Sequence, residues 1–276
     1  MPLRLRWIGA TALPVEVDAL RPEALLGLSA RDVARIDLPL GNTRVEAGEL
    51  FEIEGNPSDG QLEFDGDLTH VRGVGAGMTS GRIVVRGSVG PRAGQAMTGG
   101  ELTVEGSAGV WAGAEMAGGL LRISGNAGDF LGSALPGSRL GMREGVILVG
   151  GSVGEDAGLA MRRGLIAVAG RAGVGLGRSM IAGSVFAFGP VGPLAAMGMK
   201  RGTIAMFGLD RPDDPPLLPT FAPSGRDRPP IISITLKALR SWGFDVPDQV
   251  FSGLLARYNG DRGDRGQGEV LVWGLE

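Results

Sequence analysis

Between residues 78 and 208 the chain repeats one short pattern of alternating apolar and polar positions. Runs such as "RIVVR", "ELTVE" and "LLRIS" place Ile83 and Val85, Leu102 and Val104, and Leu121 and Ile123 on one side, and later runs do the same with Ile147 and Val149, then Ile166 and Val168. Alternation with a period of two predicts strands that keep one face inward. Glycines bracket every run. Methionines at 78, 97, 116, 142, 161, 180 and 199 open the units at a constant spacing of nineteen, broken by a single longer interval that reads as a seven-residue insertion around "SALPGSRLG" (133–141). With each methionine as position 1, glycine fills positions 4 and 10 in all seven units and position 13 in all six that reach it. It fills position 17 in five units, with Ala196 in the sixth.

A fixed short period marks a stacked-repeat architecture. One inward-facing strand per unit, followed by short glycine-cornered segments with small apolar residues at positions 12 and 16 (Val89 and Ala93, Ala108 and Ala112), predicts an all-β fold. The expected form is a right-handed parallel β-helix with coils of nineteen: that number is not a multiple of the hexapeptide period of left-handed solenoids, and parallel crossovers are overwhelmingly right-handed. The methionines are expected to form an inward stack that fills one corner, a better account than a soft-metal site because a one-dimensional ladder closes no ligand shell. Two earlier stretches look like degenerate units, "GQLEFDG" (60–66) with Leu62 and Phe64 inward, and "GELFEIEG" (48–55) as a cap. Positions 7 and 9 should point outward. They are polar or mixed early (Val84 and Arg86, Thr103 and Glu105, Arg122 and Ser124) but become Ala167 and Ala169, Phe186 and Phe188, Ala205 and Phe207 later. Solvent does not favour such a face, so either the segment 231–258 or a partner protein should cover it.

Texture divides the chain into residues 1–45 as an N-terminal extension, 46–208 as the β-helix, 209–230 as a proline-rich connector running extended over the surface, and 231–276 as a C-terminal extension of short strand or helix elements. Ser29 is placed to cap a short helix over "ARDVARI".

Composition narrows the chemistry. The 27 basic and 30 acidic residues leave a net charge of −3, which speaks against nucleic acid, and no apolar run of 18 or more predicts a membrane span. A cytoplasmic protein is expected. There is no cysteine and the one histidine is His70, so neither an imidazole–thiolate metal site nor a Ser/His/Asp set is in view. His70 reads as a polar turn residue. The glycine-rich "GVGAG" (73–77) lacks the Lys-Ser/Thr of a nucleotide loop and belongs to the repeat. No catalytic and no metal-ligating residues stand out. The one candidate contact is basic: Arg143, Arg162 and Lys200 share position 2, and Arg163 and Arg201 share position 3, so stacking lines them along one edge as an anionic docking stripe or a solvated edge. Arginine outnumbers lysine 25 to 2, the mark of a GC-rich genome.

The G-x5-G-x2-G-x3-G units resemble the C-terminal β-helix of the glutamate synthase large subunit and the C subunit of formylmethanofuran dehydrogenase. The flanks favour the second family: "LPLGNTRVEAGELFEIEG" (38–55) is similar to its segment leading into the coils, and "RYNGDRGDRGQGEVLVW" (257–273) to its C-terminal end, over residues 36–210 and the last 45 in all. A chain of this length without amidotransferase or synthase domains is expected to be free-standing. The resemblance implies a non-catalytic structural subunit of the bacterial formyltransferase/hydrolase complex of one-carbon metabolism, which converts formyl-tetrahydromethanopterin to formate through a formyl-methanofuran analogue. The arginine bias inclines the reading to that complex over the archaeal molybdenum or tungsten formylmethanofuran dehydrogenase. A detached glutamate-synthase-like module is the other alternative, and a polysaccharide-cleaving β-helix enzyme fits least. The resemblance places catalysis and metal on partners: an amidohydrolase-like subunit, a formyltransferase subunit and a further dehydrogenase-like subunit. The methanofuran analogue and tetrahydromethanopterin are then cofactors of the complex, with none bound by this chain alone.

Overall fold

The computed structural model describes residues 2–274 apart from Ala12 and Arg265; the chain is mostly β, with a thirteen-stranded, mostly parallel sheet and few helices. The centre of the sheet follows the repeat. Strands Arg82–Arg86, Glu101–Val104, Ala117–Ile123, Glu144–Val149, Leu165–Val168, Ser184–Ala187 and Arg201–Met206 lie side by side in chain order, each parallel to the next. Pairing is in phase with the period: Ile83 faces Leu102, then Leu121, Ile147, Ile166, Val185 and Ile204 follow in line. A second parallel ladder runs at position 12, where single bridges join Leu68, Val89, Ala108, Ala127, Val153, Ala172 and Val191 in series. Across the seven-residue insertion the bridge ladder continues from Ala127 to Val153, and the strand ladder continues after a register shift between Ala117 and Leu120.

Inward alternation and the methionine stack hold as read. Met78, Met97, Met116, Met142, Met161, Met180 and Met199 are all fully buried, in one cluster with the side chains of positions 6 and 8. The glycines answer two different demands. At position 4 the backbone is left-handed, as at Gly100 with φ +76°, a region that costs a side-chain-bearing residue energy. At position 10 the demand is close approach: a Cβ on Gly106 would lie 2.7 Å from the carbonyl carbon of Gly87 in the preceding repeat. Directly after the second corner, position 11 carries a polar ladder. Ser88 Oγ accepts the N–H of Ser107, Ser107 Oγ that of Asn126, Asn126 Oδ1 that of Ser152, and Ser152 Oγ that of Arg171, at 2.8–3.1 Å.

The sheet does not stop at the expected boundaries. Residues 1–45 supply Leu3–Trp7, which pairs parallel with Gln61–Asp65 and sets Leu3 and Leu5 beside Leu62 and Phe64. Phe51–Glu54 then closes that end antiparallel to Leu3–Trp7, so the stretch 48–55 caps the stack as an edge strand after the short helix Ala47–Leu50, not as one more parallel unit. Ser29 caps the helix Ala30–Ala34, in a reciprocal box with Asp32. Val15–Glu16, Asp37–Leu40, Thr43–Glu46 and Val71–Arg72 form a small second sheet. At the other end the tail is not a tail. Gln267–Trp273 pairs parallel with Arg201–Met206, Gly202 against Gly268 and Ile204 against Val270, and so continues the stack. Leu255–Gly260 follows antiparallel, and the connector itself contributes the last edge strand, Ala222–Asp227.

The exposed apolar face expected in the late repeats is covered by the chain itself. Helix Pro230–Ser241 lays Ile232, Leu236 and Leu239 over Leu148, Ala167, Phe186, Ala205 and Phe207, joined by Phe244, Val246 and Val250. Phe188 and Phe207 stack at 5.0 Å, and Phe244 tilts against Phe188. Arg228 ties the segment down by donating to the carbonyls of Gly253, Val250 and Ser252.

Candidate functional site

Positions 14 to 19 and 1 to 3 form the turn side of each repeat, where the candidate basic residues sit. The backbone fixes their rows: Arg143 N–H donates to Met116 O at 2.7 Å, Arg162 N–H to Met142 O at 2.8 Å, and Lys200 N–H to Met180 O at 2.8 Å. The five cations nevertheless form two groups, because Ile181 and Ala182 fill positions 2 and 3 of the intervening repeat. Arg143, Arg162 and Arg163 stand together, exposed, and among the described residues none has a carboxylate within ion-pair distance. Lys200 and Arg201 instead meet the C-terminal segment. Lys200 Nζ lies 3.9 Å from Asp264, and Arg201 Nε donates to Gln267 Oε1 at 3.0 Å. One continuous stripe was the expectation; the structure gives a triad of free arginines and a separate, partnered pair.

The same side holds a column that sequence reading missed. Position 15 takes the left-handed conformation in every repeat that reaches it, in Arg92, Trp111, Phe130, Asp156, Gly175 and Leu194. Bulky residues are strained there and glycine is not. Trp111 (φ +59°) and Phe130 (φ +63°) nonetheless stack in adjacent repeats, rings 5.4 Å apart and 14° from parallel, both half-buried. Asp156 is 7% exposed and ion-paired to Arg178; burial pushes its carboxyl above the usual range, against the pull of that guanidinium. The signal for this column was present, since position 15 escapes the glycine pattern and collects large residues mid-chain.

Elsewhere the chemistry is sparse. His70 is an exposed turn residue whose carbonyl accepts the Val15 N–H at 3.2 Å. In "GVGAG" the N–H groups of Gly73 and Gly77 are already given to Pro91 O and Gln95 O, so the turn offers no phosphate cradle. Asp261 is buried where the resembling C-terminal motif meets the last repeat. Burial opposes its charge, but the N–H groups of Gly198 (3.0 Å) and Gly263 (2.9 Å), which donate to its carboxylate, prevail together with the neighbouring Thr220 hydroxyl and hold its pKa low. This is an anchor for the final turn. A groove of about 550 Å³ beside Arg6, Arg31, Phe51 and Glu52 holds the exposed Arg6–Glu52 ion pair and is lined by no Ser, Thr, Cys, His or Lys. Among the described residues no three of His, Asp and Glu come together as a metal site, and no helix is long and apolar enough to cross a membrane.

Comparison with known proteins places these features. No protein-family model matches the chain. It is 38% identical over 83 residues to the C subunit of the molybdenum-containing formylmethanofuran dehydrogenase 1 of Methanothermobacter thermautotrophicus, covering 30% of this chain and 21% of that one. It is 36% identical over 81 residues to the C subunit of the tungsten-containing formylmethanofuran dehydrogenase 2 of Methanothermobacter wolfeii, covering 28% and 30%. The chain thus spans only a fifth to a third of the length of these curated relatives. The structural likeness is far more extensive. A chain in the crystal structure of the formyltransferase/hydrolase complex of Methylorubrum extorquens, solved with methylofuran, superposes with a TM-score of 0.91 at 32% identity, over 99% of this chain and 100% of that one.

Proposed function

Because the chain belongs to the family of formylmethanofuran dehydrogenase C subunits, we propose that it is the non-catalytic structural subunit of a formyltransferase/hydrolase complex. The observation that carries this reading is the end-to-end superposition on a chain of such a complex, caps included, where the archaeal dehydrogenase subunits align over less than a third of the chain. The absence of an acid–base or metal constellation among the described residues is compatible with catalysis on partners: an amidohydrolase-like subunit that holds the metal, a formyltransferase subunit and a further dehydrogenase-like subunit. The complex would act in the cytoplasm on formyl-tetrahydromethanopterin and a methanofuran analogue, releasing formate.

The scaffold of this subunit is a right-handed parallel β-helix. In-register parallel strands and a second parallel ladder, both advancing one row per repeat, support a chain that winds once per repeat. Arg143, Arg162 and Arg163, which meet no carboxylate among the described residues, are its docking site for anionic groups of the rest of the assembly, and Lys200 and Arg201 serve the chain's own C-terminal closure.

Co-expression with the other three subunits tests the reading. The chain is expected to purify with them in fixed stoichiometry and, alone, to show no hydrolysis of the formylated coenzyme. Appreciable hydrolysis by the isolated chain would overturn the structural role, and molybdenum or tungsten in its purified native assembly would move it to the dehydrogenase.

A further inference from the structure

Three sides of the stacked repeats are open to question, and the chain itself answers for most of their surface. On the strand side, the late repeats lie under helix Pro230–Ser241, and the early ones carry an ion-pair row in which Glu63 meets Arg4 and Arg86, and Arg86 meets Glu105. On the bridge side, the side chains at position 11 are engaged by the N–H groups of the next repeat. On the turn side, both ends are closed. Arg21 Nη1 reaches the Gly77 carbonyl and Glu23 accepts the Thr79 N–H over the first repeats. Asp261 accepts the Gly198 N–H, and Asp264 and Gln267 meet Lys200 and Arg201 over the last.

The middle of the turn side is left. It presents the Trp111–Phe130 stack, in a backbone conformation that Gly175 adopts without strain in the same column, and, at positions 2 and 3 of the two repeats that follow, three exposed arginines with no ion-pair partner among the described residues. In the same column Asp156 is ion-paired to Arg178, and among the described residues the two aromatic rings stack only on each other. Half-buried Trp and Phe and exposed Arg that makes no ion pair among the described residues are side chains enriched at protein interfaces, where lysine and glutamate are depleted.

We infer that the turn side of the middle repeats is the face on which a partner subunit docks, with Trp111 and Phe130 as its anchors and Arg143, Arg162 and Arg163 receiving carboxylates of that partner. This inference rests on the reading of the chain as a subunit of a formyltransferase/hydrolase complex. The partner's chemistry follows from charge complementarity and from the chain's own precedent, since Asp264 already plays that part for Lys200 at position 2. The partner surface is acidic, with an apolar pocket or ledge that takes the two rings.

The test is assembly of the four-subunit complex with wild type, W111A/F130A, and R143E/R162E/R163E, followed by native mass spectrometry and by titration of this chain onto the other three. Each variant is expected to weaken association roughly tenfold or more, the scale of interface anchor residues. The arginine effect should shrink as salt is raised from about 50 to about 500 mM, and the aromatic effect should persist. Because Trp111 and Phe130 also stack on each other, the arginine variant, whose side chains touch no carboxylate of this chain's described residues, carries the test if the aromatic one fails to fold. Wild-type affinity in the arginine variant overturns the inference while leaving the subunit reading intact. Failure of the wild-type chain to assemble overturns both. If the arginine variant assembles normally but the complex loses binding of poly-L-glutamate, the patch receives a free polyanion and the docking face is overturned.

Discussion

The outer strand face of the early repeats and that of the late repeats are built on the same interior. Ile83 and Val85 inside the first regular repeat correspond to Ile166 and Val168 inside a late one, and all four are fully buried. Outside, they have nothing in common. Early rows show Val84 and Arg86, then Thr103 and Glu105, with Arg86 ion-paired to both Glu63 and Glu105; late rows show Phe186, Ala205 and Phe207 beneath Ile232, Leu236 and Leu239. The interior pattern therefore sets the stack, and the outer pattern records where the chain folds back upon it. Each large apolar side chain in that second contact contributes roughly 1.5–3 kcal/mol by burial, whereas an exposed ion-pair row adds little.

Truncating corresponding residues in the two halves should break the symmetry most strongly. Phe186 and Thr103 both occupy position 7, but Phe186 is 1% exposed and Thr103 half-buried at the surface. Phe186→Ala is expected to cost about 3–5 kcal/mol, through lost burial and the cavity left beside Phe207. Thr103→Ala should stay within about 0.5 kcal/mol of wild type. Chemical unfolding monitored by tryptophan fluorescence measures both. Equal losses would mean that the helix does not cover the late face in solution.

The glycine corners should make the two halves agree again. A Cβ on Gly106 or Gly170 would sit 2.7 Å from the carbonyl carbon of Gly87 or Gly151, one repeat below. Gly106→Val and Gly170→Val are each expected to cost roughly 1–3 kcal/mol, the usual penalty of overpacking. Thermal unfolding should show similar losses in both, because the clash lies within the stack and not at its outer face. An unchanged Tm in either variant would remove the close-approach role from that corner.

The interior was legible because it is periodic, and what escaped reading is where the period breaks. The methionines and the apolar side chains at positions 6 and 8 declare themselves by repetition. The last strand did not, although Gly268, Val270, Val272 and Gly274 keep positions 4, 6, 8 and 10 of the pattern; the connector, the covering helix and an antiparallel strand all intervene between Gly208, the last in-phase glycine, and Gly268. Leu3 and Leu5 keep the alternation too, but no glycine brackets them and a long excursion follows. The late phenylalanines announced a cover without naming it, and a helix over 230–241 with Ile232, Leu236 and Leu239 on one stripe could have been matched to them. On the turn side, the basic residues were read by position alone. That Ile181 and Ala182 divide them is visible in the period itself; only the folded chain reveals that Asp264 and Gln267 take two away.

Acid provides the finest separation of the two halves. Glu63 is the centre of the early ion-pair row, with Arg86 Nε at 2.8 Å and Arg4 Nη2 at 3.5 Å. The hydrogen bond from Arg86 holds its pKa below the ordinary carboxylate value, with partial burial opposing and the charge of Arg4 assisting. A depressed pKa means that the folded state favours the charged form. The resulting stability is fully present above the unfolded value, about 4.3, and is lost as pH falls through the folded one. Glu63→Gln lacks this contribution at every pH, so its Tm should lie slightly below wild type at pH 7, the smallest deficit of the series. That deficit should shrink with salt and close as the solution is acidified below about pH 4. Phe186→Ala, which removes no charge, should keep its full deficit across the same range. A Glu63→Gln deficit that persists unchanged into strong acid would mean that packing, and not charge, is what this side chain gives the early face.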